Sequence, residues 1–213
     1  MRAKMRMAAA YGKFFDADAK RTLKGGRYSM LRQIPKGGHA AEVGVWKGDF
    51  SAALLAHTEP SKLYLVDPWR MPDEDIVDVI LPPSKDGEVK RADGSTLEDQ
   101  QDLDGVYQSV VARFAPNAAV QVLRATSLEA APQVQDGSLD WVYIDGSHYY
   151  EDVLDDLDAW YPKVKRGGII FGDDYYWRDP DRNYGVRQAV NEFREKVPVV
   201  RWVVFRGQFM LWV

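Results

Sequence analysis

Short apolar runs that alternate with segments of helical spacing constrain the fold of this chain more than any other feature. The runs are predicted to be strands at residues 39–45, 63–66, 120–123, 139–144 and 169–171. Helices are predicted at residues 28–34, 48–57, 103–114, 149–161 and 186–195. Alternating strands and helices favour a parallel, doubly wound sheet. Residues 199–205 and 209–213 predict a closing hairpin, so we expect an α/β fold: a doubly wound, mostly parallel seven-stranded sheet with a C-terminal antiparallel hairpin.

The length of 213 residues suits a single domain, residues 1–213, with one full core. Residues 1–26 are expected to form an N-terminal extension. Residues 70–102 are rich in Asp, Glu, Lys, Gly and Pro, and they interrupt the regular pattern. A segment of this length is typical of an inserted surface loop or a lid over a site.

Composition excludes several classes of function. The net charge of −4 and the pI near 5.4 argue against a nucleic-acid partner. The absence of cysteine excludes disulfides, thiolate zinc sites and cysteine nucleophiles, and it suits a cytoplasmic protein. No apolar stretch approaches the roughly 20 residues of a membrane span, so no membrane partner is expected.

Carboxylates follow two of the predicted strands directly. Asp145 and, three residues on, His148 come after the run at 139–144, and Asp173 and Asp174 come after the run at 169–171. If the two strands are parallel neighbours, the three carboxylates meet at one edge of the sheet. Three hard oxygen donors suit Mg²⁺ or another divalent cation. His148, with an ordinary pKa of about 6.5, is placed for proton transfer. The alternatives are a solvated turn at Asp145, a helix cap at Asp173 and Asp174, and a structural role for His148 at a helix start.

A second set of signals lies at the first strand-to-helix turn. Gly44 and Gly48 would let the backbone pass close to a ligand, and the following helix start could bind a carboxylate or phosphate. Asp67, at the end of the second strand, could hydrogen-bond the hydroxyls of a ribose. The glycine spacing departs from G-x-G-x-x-G, which disfavours an NAD-dependent dehydrogenase. A tight turn without a ligand is the alternative.

These motifs resemble those of a known family. Glu42-x-Gly44-x-x-x-Gly48 followed by Asp67 is similar to the first two motifs of class I S-adenosylmethionine-dependent methyltransferases. The stretch from Leu139 to His148, through Asp173-Asp174-Tyr175, resembles the metal-dependent small-molecule O-methyltransferases of the macrocin and mycinamicin type. The resemblance spans about residues 38–196. It implies a Rossmann-like methyltransferase fold and S-adenosylmethionine as the cofactor.

The resemblance also implies roles for individual residues. The cofactor-binding residues would be Glu42, Gly44, Gly48, Ser51, Asp67, Ser127 and Asp145. Of these, Glu42 and Gly44 would line the methionine end, Ser51 its carboxylate, Asp67 the ribose and Ser127 the adenine. Mg²⁺ would be held by Asp145, Asp173 and Asp174, and His148 would be the general base.

The function expected from these residues is metal-assisted methyl transfer to a hydroxyl of a small molecule, such as a sugar or a polyphenol. Metal-independent transfer with His148 alone is an alternative, and so is a cofactor-binding protein without transferase activity. A homo-oligomer is compatible with the sequence. Aromatic residues near the proposed site, at 149, 150 and 175–177, are expected to pack as core or to form a wall for the acceptor. The acidic face of the helix at 151–158 is expected to be solvated.

Overall fold

The computed structural model of the protein describes residues 26–70, 100–178 and 184–213. The strands are β1 (His39–Val43), β2 (Lys62–Asp67), β3 (Val120–Arg124), β4 (Leu139–Ile144), β5 (Val164–Gly172), β6 (Arg201–Phe205) and β7 (Gln208–Trp212). The α-helices are α1 (Gly26–Leu31), α2 (Asp49–Thr58), α3 (Gln100–Phe114), α4 (Ser127–Ala130), α5 (Tyr150–Trp160) and α6 (Gly185–Lys196). In these ranges, no helix combines the length and the apolar character that crossing a membrane requires.

The seven strands form one sheet in the order β3-β2-β1-β4-β5-β7-β6. The first five strands of this order are parallel, and β7 runs antiparallel to both β5 and β6. The structure therefore confirms the predicted mostly parallel sheet with its closing hairpin. The strand order reverses between β1 and β4, which is where open α/β sheets place their ligands, outside the carboxyl ends of the strands.

Each face of the sheet supplies one half of the core. In β4, Trp141 and Tyr143 pack on the side of α1, α2 and α3, whereas Val142 and Ile144 pack on the side of α5 and α6. Successive side chains of a strand point to opposite faces, so a strand that is covered on both sides must be apolar throughout. This explains why the central strands appear in the sequence as continuous apolar runs.

Several boundaries differ from the sequence predictions. Strand β5 begins at Val164, because the polar run that precedes residue 169 continues the strand rather than forming only a turn. Helix α3 begins at Gln100, inside the loop or lid predicted at residues 70–102. The rest of that prediction, at residues 71–99, and the predicted N-terminal extension up to residue 25 lie outside the described residues. Helix α4 was not predicted, although Thr126 and Glu129 form a capping box whose spacing is visible in the sequence.

The prediction of a wholly solvated acidic face on α5 is wrong for one residue. Asp156 is only 6% exposed, and burial raises the pKa of its carboxyl to about 7. Val153, Leu157 and Trp160 are buried on the same helix, and position 156 lies three residues from the first and four from the last. Residues at these spacings share one helical face, so Asp156 faces the sheet with the apolar residues.

Candidate active site

The carboxyl ends of three neighbouring strands bring the predicted site residues together. Val43 of β1 is in register with Ile144 of β4, which is in register with Gly172 of β5. The backbone N–H of Asp145 donates to the carbonyl of Val43 over 2.8 Å, which extends the β1–β4 pairing by one residue. The residues that directly follow these strands therefore lie side by side along one edge of the sheet.

A cluster of possible metal ligands lies at this edge. One donor atom each from Asp145, His148 and Asp174 lies within 4.8 Å of the other two. His148 Nε2 is 2.8 Å from Asp174 Oδ2, and both side chains are partly exposed. Carboxylate and imidazole donors at this spacing suit a divalent cation. The convergence expected from the sequence is present, while the metal and base roles of these residues stay predictions.

Asp173, the third predicted metal ligand, is paired with Arg27, a residue that the sequence analysis did not identify. The guanidinium of Arg27, on α1, forms an ion pair with Asp173 and lies 3.0 Å from Asp145 Oδ2. The same guanidinium stacks over the rings of Phe50 and Tyr143, at 5.2 and 6.0 Å from their centroids. Arg27 lies between the predicted extension (1–26) and the helix predicted at 28–34, where no motif or periodicity distinguishes it.

Burial and charge shift the protonation of the cluster. Burial raises the pKa of Asp145 to about 7, and the neighbouring Arg27 opposes that rise. The pKa of Asp173 is also raised by burial and lowered by Arg27, with a net upward shift. Burial lowers the pKa of His148, but the hydrogen bond and charge of Asp174 outweigh this and raise it. The imidazole is therefore easier to protonate than an exposed histidine.

The glycines of the first strand-to-helix turn are required by packing inside the protein. Gly44 has φ +88°, and a Cβ there would lie 2.0 Å from the carbonyl oxygen of Asp145. Gly48 has φ +74°, and a Cβ there would lie 2.7 Å from the ring of Phe114. These observations explain both glycines without a ligand, so their predicted contact with a cofactor stays a prediction.

Asp67 braces the same turn. One carboxylate oxygen accepts hydrogen bonds from the backbone N–H groups of Val45 (3.1 Å) and Trp46 (2.8 Å). The other accepts from the N–H of Trp69 over 2.8 Å, and the Trp69 indole donates back to the Trp46 carbonyl over 2.9 Å. The acidic residue predicted to hold a ribose therefore also fixes the loop beside it.

Glu42 and Ser51 present buried polar atoms to this loop. Glu42 is 1% exposed and Ser51 is fully buried. Neither Glu42 Oε2 nor Ser51 Oγ has a hydrogen-bond partner in the described part of the chain. Burial raises the pKa of Glu42 to about 8, and the Ser51 hydroxyl, which lies near this carboxyl without a well-formed hydrogen bond to it, opposes that rise. Since buried polar atoms normally have partners, these two atoms fit a polar ligand such as the methionine end of S-adenosylmethionine.

Ser127 begins helix α4, just beyond β3. Its Oγ accepts a hydrogen bond from the Trp160 indole over 2.8 Å. The hydroxyl also lowers the pKa of the buried Asp156 on α5, although burial has the larger, opposite effect. Ser127 therefore links α4 to α5. Its predicted contact with an adenine is a further role that stays a prediction.

The aromatic residues near the cluster divide into two groups. Tyr149 and Tyr175 are buried, whereas Tyr176 is 57% exposed. The Trp177 ring lies 5.0 Å from the imidazole of His148, centroid to centroid. A cleft of about 370 Å³ is lined by Tyr175, Tyr176, Arg187, Trp202, Val203 and Val204. Tyr149 and Tyr175 therefore pack as core, as one expectation had it, while an aromatic wall for the acceptor stays a prediction.

Comparison with known proteins identifies the family. A family model described as a methyltransferase domain matches residues 41–175, which is more than half of the chain. The match includes all the predicted site residues, whereas Arg27 lies before it. A curated relative, the uncharacterized protein y4gI of Sinorhizobium fredii, is 31% identical over 91 residues. That alignment covers 43% of this chain and 10% of the relative, so the chain spans a small part of that protein.

Solved structures share the fold. The O-methyltransferase NovP superposes with a TM-score of 0.56 at 21% identity, over 87% of this chain and 78% of NovP. A SAM-dependent methyltransferase from Aquifex aeolicus gives 0.55 at 14% identity, over 96% of both chains. The tRNA methyltransferase TrmK of B. subtilis gives 0.51 at 12% identity, over 88% of this chain and 64% of TrmK.

The family match agrees with the sheet topology and with the motifs at the ends of β1, β4 and β5. The resemblance expected from the sequence is therefore confirmed at the level of the methyltransferase domain. The chain belongs to the methyltransferase-domain family.

Proposed function

We propose that this methyltransferase transfers a methyl group to a hydroxyl of a small molecule with the help of a divalent cation such as Mg²⁺. The observation that carries the proposal is the convergence of Asp145, His148 and Asp174 at the sheet edge, beside the glycine turn that follows β1. A base and metal ligands next to a cofactor turn suit hydroxyl methylation, because they can activate the acceptor oxygen.

Bound S-adenosylmethionine would supply a methyl group activated by its sulfonium. On this proposal the unpartnered Glu42 Oε2 and Ser51 Oγ bind the polar methionine end. Asp67 holds the turn after β1 in place through three backbone hydrogen bonds, and it retains lone pairs for a ribose hydroxyl. A turn fixed before the ligand arrives reduces the ordering that binding would otherwise require.

Asp145 and Asp174 would share the metal, which when bound lowers the pKa of a hydroxyl in contact with it. The third donor is His148 in the observed arrangement, or Asp173 if Arg27 withdraws. Only the second arrangement leaves His148 free to act as a base. The donor set fits a divalent cation in either case.

His148 takes the proton of the acceptor hydroxyl in this proposal. Its Nε2 faces Asp174 at 2.8 Å, so the neutral ring can donate there and accept a proton at Nδ1. Asp174 then fixes the orientation of the ring and stabilises the imidazolium that forms. A carboxylate that orients a histidine base is a recurring arrangement in enzymes.

Metal-independent transfer is the second candidate. The observation that favours it is Arg27, because a guanidinium already supplies a positive charge to Asp145 and Asp173 without a metal. In this version the His148–Asp174 pair alone would remove the proton. The two versions predict different responses to a chelator.

The proposed acceptor is a small molecule with a hydroxyl group. The cleft of about 370 Å³ includes in its lining Tyr175, the residue after Asp174, and has the size of a small-molecule site. Its lining includes the aromatic side chains of Tyr176 and Trp202, which suit a flat ring or a sugar face.

The test measures transfer of a labelled methyl group from S-adenosylmethionine to a panel of catechols, phenols and sugars, with Mg²⁺ and with excess EDTA. We expect labelled ether products that depend on Mg²⁺ in the wild type and are lost in Asp174→Asn. Full activity in EDTA would reject the metal and leave the second candidate. Labelling of RNA, with no small-molecule product, would reject the acceptor class.

A further inference from the structure

The guanidinium of Arg27 forms ion pairs with two of the proposed metal ligands. It lies 3.0 Å from Asp145 Oδ2 and is paired with Asp173. The Arg27 side chain is 26% exposed, against 16% for Asp145 and 15% for Asp173. A charge-assisted pair with this much shielding from water is stronger than an exposed one. The carboxylates at the ends of β4 and β5 thus already have a cation within the chain.

A metal ion on the same carboxylates would lie close to the guanidinium. Two like charges a few ångström apart repel strongly where water is partly excluded. While Arg27 is paired with Asp173, one possible group of metal ligands among the described residues is Asp145, His148 and Asp174, whose ligand atoms lie within 4.8 Å of one another. Release of Asp173 would let carboxylates replace the imidazole in the donor set, and His148 would then be free for proton transfer.

We propose that Arg27 competes with the divalent cation for Asp145 and Asp173, so that loading the site moves the guanidinium away. The inference rests on the proposed metal-assisted function. It assigns to α1 a role in metal affinity that the family match, which begins at residue 41, does not include.

The movement involves the side chain rather than the helix. Met30 and Leu31 of α1 are 1% and 2% exposed, and α1 packs against α2 and β7. These contacts hold the backbone of α1 in place. Arg27 has four flexible side-chain bonds and a partly exposed guanidinium, so it can withdraw toward solvent while the helix stays docked.

The test is the affinity for Mn²⁺, measured by the electron paramagnetic resonance signal of the free ion at saturating S-adenosylhomocysteine. We expect Arg27→Met to bind Mn²⁺ about tenfold more tightly, because a competing charge is removed. Arg27→Lys keeps the charge and should stay near the wild-type affinity. Arg32→Met is the matched control, since Arg32 is an exposed arginine just beyond the same helix, and its affinity should not change.

Unchanged or weaker Mn²⁺ binding by Arg27→Met would overturn the competition and leave the metal site standing. No Mn²⁺ binding by any variant would overturn both the competition and the proposed metal. If Arg27→Met fails to fold by circular dichroism, Mg²⁺ is titrated into wild-type protein while the Arg27 Nε–H resonance is followed by NMR. The resonance should move toward the position of a free arginine, and a fixed resonance at saturating Mg²⁺ would overturn the proposal.

Discussion

Replacement of Glu42 by glutamine tests whether this carboxyl group meets the cofactor. Burial raises the pKa of Glu42 to about 8, so at pH 7 about nine in ten molecules carry the proton. The ammonium group of S-adenosylmethionine beside the unpartnered Oε2 would favour the carboxylate and expel that proton. We therefore expect cofactor binding to release up to about 0.9 proton from Glu42 at pH 7 and about 0.1 at pH 9.

The assay is isothermal titration calorimetry with S-adenosylhomocysteine in buffers of different ionisation enthalpy. The ligand keeps the same amino-acid end and cannot react, and its own protons cancel in the difference between wild type and Glu42→Gln. Glu195→Gln, a change of the same kind at an exposed position on α6, is the control and should behave as wild type. Equal proton release by wild type and Glu42→Gln at pH 7 would refute the reasoning.

Other substitutions test the site separately. Asp67→Ala leaves three backbone N–H groups without their acceptor, so the free energy of unfolding measured in urea should fall by about 1–3 kcal/mol. A fall of less than about 0.5 kcal/mol would contradict the role of Asp67 in holding the turn. Gly44→Ala should lower the melting temperature more than Gly137→Ala. Both glycines have a positive φ, but only at position 44 would a Cβ collide with backbone atoms. Equal falls in melting temperature would contradict this reasoning. His148→Ala should lower kcat by about 10²–10⁴. In the metal-independent version, the wild-type kcat should rise with pH through a pKa above the ordinary histidine value, since the neighbouring Asp174 favours the protonated ring, whereas a cation bound to Asp174 would lower that pKa. A near-normal mutant rate with the same profile would dismiss His148 as the base. Asp174→Asn should keep the thermal stabilisation by S-adenosylhomocysteine and lose the response of the rate to Mg²⁺; an intact response would remove Asp174 from the metal site.

The fold could be predicted because its determinants are local. The central strands are covered on both faces and are therefore mostly apolar, as residues 141–144 of β4 show. The meeting of Asp145 with Asp173 and Asp174 followed from one assumption, that β4 and β5 are parallel neighbours, which the register confirms. Residues that directly follow parallel neighbouring strands must lie at the same edge.

The contribution of Arg27 could not be predicted, because it depends on how the short helix α1 packs against the rest of the protein. The contact with Asp173 joins residues 146 positions apart, and neither spacing nor composition specifies such a pair. Asp156 is different, since its spacing from the apolar residues of α5 places it on the buried face. The charge of the residue suggested solvent, and the helical period was the better guide.

The most direct test of the proposed function is a crystal structure of the protein with S-adenosylhomocysteine and Mn²⁺, with the metal located by its anomalous scattering. The proposal predicts the methionine end of the ligand against Glu42 and Ser51, and a manganese peak bound by Asp145 and Asp174. A ligand bound away from the carboxyl ends of β1 and β4, or a fully occupied cofactor site with no manganese at these aspartates, would contradict it.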